Sequence, residues 1–140
     1  MDSINIFLIS ILSIIYARLL KSTVNWLKVD GFTIPNNDLK LELFCLMSWT
    51  WGMSTLNSME GIIFSLLAGI LFAISWVDFH TFQIPLIFSI VGSVVVIYGV
   101  ITGEINYKTA IYGVIVGSVI PLLLIWFIFL ITRRQGMGYG

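Results

Sequence analysis

Five long apolar segments separated by short polar connections leave this chain few folds to choose from. A helix rises about 1.5 Å per residue, so crossing the hydrocarbon of a bilayer takes roughly 17–25 apolar residues. Ile4–Leu20, Leu41–Leu56, Gly61–Phe79, Pro85–Ile101 and Lys108–Ile131 reach or approach that length. Charged residues make up only 10% of the chain, whereas soluble domains carry roughly 25%. The expected fold is therefore all-α: a polytopic integral membrane helix bundle, one membrane domain over residues 1–140 with about five transmembrane helices.

The second segment is the weakest, being short and carrying Glu42, Ser48, Thr50 and Ser54. The first could pass for a signal peptide. It lacks a basic leading region, since Asp2 is the only charge before Arg18, and no small-residue cleavage site follows it, so it reads as a retained anchor. Pro85 suits a helix start, where its missing N–H costs little. Pro121 should kink the fifth helix, which neighbouring groups can tolerate. Gly113 and Gly117 either form a small-residue face for close helix approach or are merely tolerated glycines.

Basic residues set orientation in the membrane. With the N-terminus outside, Arg18, Lys21, Lys28, Lys40, Arg133 and Arg134 fall inside and only Lys108 falls outside. The connections Asn57–Glu60 and Thr102–Tyr107 are then short outer turns, and Lys21–Lys40 is expected as a cytoplasmic loop. Formal net charge is zero, so nothing suggests a nucleic-acid partner. A lone cysteine, Cys45, excludes an intramolecular disulfide and a four-cysteine zinc site. No cofactor or metal is called for.

Asp78 ends the third apolar segment with no basic residue beside it. A carboxylate at mid-membrane costs about 2.5–3.5 kcal/mol, which makes an intramembrane acid a functional candidate by default. At the interface the cost is far lower, and there Asp78 would only end a helix. His80 carries the same ambiguity, as polar boundary residue or base. The five tryptophans fit an interfacial belt and helix packing rather than a cofactor site.

The run Val77-Asp78-Phe79-His80-Thr81-Phe82-Gln83-Ile84-Pro85 places an Asp at a helix end, with an apolar residue and Pro closing the motif seven positions on. The chain closes on Gly136-Met137-Gly138-Tyr139-Gly140, after two further helices. Together these resemble the two active-site motifs of the type IV prepilin peptidase (prepilin leader peptidase) family, intramembrane aspartic proteases whose glycine motif ends in the second catalytic Asp. That Asp would stand at position 141, 63 residues beyond Asp78. Leu41-Glu42-Leu43-Phe44 is similar to the Val-Glu-Leu-Leu run that opens the second helix of members. The likeness covers roughly residues 41–140, about 100 of the 140, and the first helix fits by position and topology alone.

The resemblance implies an aspartic endopeptidase of the inner (plasma) membrane, multi-pass, which cleaves the leaders of prepilin or pseudopilin precursors at the cytoplasmic face. Type IV pilus assembly and protein secretion are the processes it would serve, with the lipid bilayer as its other partner. It assigns Asp78 as catalytic, and Gly136, Gly138 and Gly140 to an active-site loop that begins near residue 132. Aspartate hydrolysis needs two carboxylates sharing a proton, one activating water and the other polarising the carbonyl. The sequence breaks off one residue before the second, so it looks truncated, an incomplete fragment expected to be inactive alone. The glycines permit positive φ and close backbone approach, as a re-entrant loop requires, although a flexible tail would also accept them.

Many members carry two Cys-x-x-Cys pairs between the first two helices, and this chain carries none. Methylation of the cleaved substrate, an activity often associated with the family, cannot be mapped onto its residues. A competing reading is a non-catalytic membrane scaffold or a small transporter subunit. The transporter version expects paired intramembrane charges or broken helices in matching halves, and neither is present.

Overall fold

A computed structural model of the protein describes residues 3–132. They form five α-helices: α1 (Ser3–Leu27), α2 (Lys40–Thr55), α3 (Ser58–Thr81), α4 (Leu86–Ile101) and α5 (Tyr107–Thr132). A single 3-10 turn, Val29–Gly31, lies between α1 and α2, and no strand occurs among the described residues. Helices α1, α2 and α3 pack against one another, α4 packs on α3, and α5 lies lightly on α4.

Helical periodicity explains the core. Residues three, four and seven apart share one face, and Ile70, Ala73 and Val77 of α3 are buried at that spacing. Ala17, Leu20 and Val24 of α1 and Leu41, Cys45 and Trp49 of α2 complete the same cluster. Small residues let the backbones close in. A Cβ on Gly61 would sit 2.7 Å from Gly52 O, and one on Gly69 would sit 2.5 Å from the Tyr16 ring. Two hydroxyls bind across these contacts: Tyr16 donates to Leu66 O at 2.6 Å, and Ser65 lies 3.3 Å from Ser48 O of α2.

The outer surfaces are apolar. Leu19, Leu71, Ile97, Ile101, Val114 and Trp126 are all exposed, an arrangement that belongs against lipid or another apolar partner rather than water. Phe7–Leu27 and Ser58–Thr81 are long and apolar enough to cross a membrane, and Leu86–Ile101 is apolar but shorter.

One expectation needs adjustment. The first helix does not stop at Leu20 but continues to Leu27, so the connection expected over Lys21–Lys40 shrinks to residues 28–39. The charge at Lys21 does not end the helix because the loop turns back and satisfies it. Lys21 Nζ donates to Asn36 O at 3.3 Å and Asp38 O at 2.7 Å, while the Asn25 amide donates to Ile34 O and accepts from Ile34 N. Of the two readings of Gly113 and Gly117, the described residues fit the tolerated glycines: a Cβ on either would meet nothing within 4 Å, and the close approaches fall at Gly52, Gly61, Gly69 and Gly99. Helix α5 continues through Pro121 from Tyr107 to Thr132.

Candidate functional site at the cationic end of the bundle

Up-and-down connectivity gathers the last turns of α1 and α3, the first turns of α2 and α4 and the 28–39 loop at one end. Direct contacts tie these pieces together. Gln83 Nε2, just past α3, donates to Asp30 Oδ2 of the loop at 2.7 Å. The Phe32 ring stacks on His80 with centroids 4.6 Å apart, and Lys40 Nζ lies 4.7 Å from the centre of the Trp76 ring. Arg18, Lys21, Lys28 and Lys40 all belong to these segments, whereas Lys108 starts α5 at the opposite end.

Asp78 sits in the last turn of α3 and is exposed. It lies two turns beyond exposed Leu71 and one turn beyond exposed Ser75, next to the buried stripe that ends in Val77. No hydrogen bond or ion pair engages its carboxylate among the described residues. Its backbone carbonyl accepts from Phe82 N at 2.8 Å and closes the helix. Phe82 makes that cap in the left-handed region at φ 54, a conformation that costs a non-glycine residue roughly 1–2 kcal/mol.

Lys28 (φ 44) and Asp30 (φ 49) are the other two non-glycine residues with positive φ among those described. All three flank the Asp78 end, one after α3 and two in the loop that contacts it. Strained backbone of this kind persists only where surrounding structure over-determines it, and it clusters at functional sites.

His80 is held firmly. Its Nδ1 lies 2.9 Å from Trp76 O, and because a carbonyl can only accept, Nδ1 donates there. Phe32 and Trp76 stack on it and Phe79 meets it edge-on. A shallow cavity of about 270 Å³ lies beside it, lined by Lys40, Phe72, Ser75, Trp76, Phe79 and His80. Two positions separate His80 from Asp78, which puts the two side chains on different faces of α3.

Glu42, whose orientation the sequence leaves open, turns to Lys21. Its Oε1 lies 3.4 Å from Lys21 Nζ, with side-chain exposures of 6% for Lys21 and 12% for Glu42. The carboxylate that the fold brings to the Asp78–Pro85 motif is therefore Asp30, held by Gln83. Sequence reasoning had left Asp30 in a loop, and the only signal for it was the Val-Asp-Gly turn. Gly136, Gly138 and Gly140 lie outside the described residues, as does everything else beyond Thr132. No group of three or more His, Cys, Asp and Glu that could hold a metal occurs among the described residues.

Chemically, Asp78 offers one accessible carboxylate at a cationic, aromatic-rich end. It can serve as general base or general acid, but dividing both roles requires a second carboxylate. Comparison with known protein families, with curated proteins and with solved structures gives no match.

Proposed function

We propose that the chain belongs to a prepilin-type aspartic endopeptidase, a multi-pass protein of the plasma membrane with Asp78 as one member of its catalytic pair. The observation that carries this reading is Asp78 itself, the only charged residue between Glu60 and Glu104, exposed and unpaired among the described residues at the cationic end of the bundle. Asp30 reaches the same motif through Gln83 but spends one oxygen on that hydrogen bond. The second member of the pair would come from position 141, presented by the loop that begins near residue 132. Substrates would be precursors with a short polar or basic leader, cleaved after Gly and before an apolar helix.

The test begins with the codons that follow Gly140. The complete reading frame is then co-expressed with a type IV pilin precursor, and leader loss is followed by a mobility shift. Asp78→Asn should abolish cleavage while membrane insertion persists. Cleavage retained in that variant refutes the role. A stop codon directly after Gly140 removes the second carboxylate and favours the scaffold reading, in which the bundle holds a partner rather than hydrolysing one.

A further inference from the structure

A second polar feature lies on the other side of the loop. Residues 18, 21, 22 and 25 of α1 share one helical face, and with Asn36 and Glu42 they line an open cleft of about 460 Å³. Two of its polar side chains, Lys21 and Asn25, are already satisfied. The three N–H groups of Lys21 have three acceptors, Asn36 O, Asp38 O and Glu42 Oε1. Asn25 is doubly engaged by Ile34.

Two groups stand out as unmatched. Arg18 is exposed, and none of its five guanidinium donors has an acceptor among the described residues. Glu42 Oε2 is buried with no donor, a situation that native proteins rarely leave without a reason. A cleft with a free guanidinium and one orphaned carboxylate oxygen suits a ligand carrying an anion and an N–H donor together. Ile11 and Ile15 continue the same face of α1 away from the cleft, and both are exposed and apolar. The surface therefore reads as an apolar track leading into a polar slot.

We infer that this cleft binds an aminophospholipid, with the phosphate on Arg18, the ammonium turned toward Glu42 and an acyl chain along Ile15 and Ile11. Arg18 suits a phosphate because its planar fork pairs with two oxygens at once. The primary ammonium brings the hydrogen that Glu42 Oε2 lacks, once the carboxylate rotates to meet it. This inference rests on the membrane reading and is independent of the peptidase chemistry.

Native mass spectrometry of the detergent-purified full-length protein tests it, with phosphatidylethanolamine, phosphatidylcholine and soluble glycerophosphoethanolamine as probes. Choline has the same charges as ethanolamine but no N–H donor. The wild type should hold phosphatidylethanolamine about tenfold more tightly than phosphatidylcholine, the scale of one charge-assisted hydrogen bond. Arg18→Gln, a surface change that leaves the buried Lys21–Glu42 pair intact, should weaken both lipids about tenfold. Glu42→Gln should erase the preference between them, with circular dichroism confirming that the helices remain.

Equal binding of the two lipids by wild type, or unchanged binding in Arg18→Gln, overturns the site. Equally tight binding of the soluble ester overturns the lipid assignment by showing that the acyl track is idle. Failure of the membrane reading would show separately, as release of the protein by alkaline carbonate extraction.

Discussion

Gly61 opens the first turns of α3 against Gly52 near the end of α2, and no room remains there for a side chain. Gly61→Ala should destabilise the bundle by about 1–3 kcal/mol, the usual cost of overpacking a filled contact. Gly113→Ala, where a Cβ meets open space, should be neutral or stabilising by about 0.5–1 kcal/mol through helix propensity. Thermal unfolding of both variants in detergent checks the contrast, and the reverse order would contradict the packing described. Sequence spacing drew attention to Gly113 and Gly117 because they lie four apart on one helix. The close approach actually pairs glycines across a turn, and no single-helix periodicity reveals that. Asp78 stands out at this scale from charge alone, since no other Asp, Glu, Lys or Arg lies between Glu60 and Glu104. The strain at Phe82 does not, because glycine is the residue expected at a left-handed cap. Phe82→Gly should accordingly raise stability by roughly 1 kcal/mol, unless its exposed ring binds something the strain serves. The same unfolding experiment reads that directly.

At the scale of the element, all five helices could be recognised from apolar length, and four of them begin and end close to their expected bounds. The exception is α1, which overruns its apolar stretch by seven residues, from Leu20 to Leu27. Hydropathy cannot see this extension because Lys21 and Asn25 are polar and yet face inward onto the loop. The loop folds against them, and their side chains take up its backbone carbonyls. Removing the charge should therefore cost more than a surface lysine would. Lys21→Met strands a buried Glu42 carboxylate, and breaking a buried pair from one side costs about 3–5 kcal/mol. The double variant Lys21→Met with Glu42→Leu should recover much of that loss, because apolar groups of similar volume replace both charges. A double-mutant cycle by thermal unfolding measures the coupling, and purely additive losses would mean that the two residues stabilise the bundle independently.

For the molecule as a whole, the count of basic residues and the arrangement of the helices make the same division between ends. Arg18, Lys21, Lys28 and Lys40 cluster around the Asp78 end, and Lys108 lies at the other. If that division follows the membrane, a cysteine replacing Thr33 should react with an impermeant maleimide only after the cells are opened. Glu104→Cys should react in intact cells. Cys45 is fully buried and should stay silent in both. Reversed labelling would invert the orientation without altering the fold. What the sequence could not convey is how unevenly the contacts are shared. The apolar stretches look equivalent in composition, but among the described residues α1 to α3 supply most of the buried cluster.

That imbalance has a consequence for biosynthesis. The three helices that bury the core precede α4 and α5 in the chain, so they leave the ribosome earlier and can pack on one another before those two are made. The early half of the chain can thus close around Tyr16, Cys45 and Gly69 while α4 and α5 are still being synthesised. Asp78 would then already stand on a finished three-helix support, and whatever follows α5 would join a surface already in place.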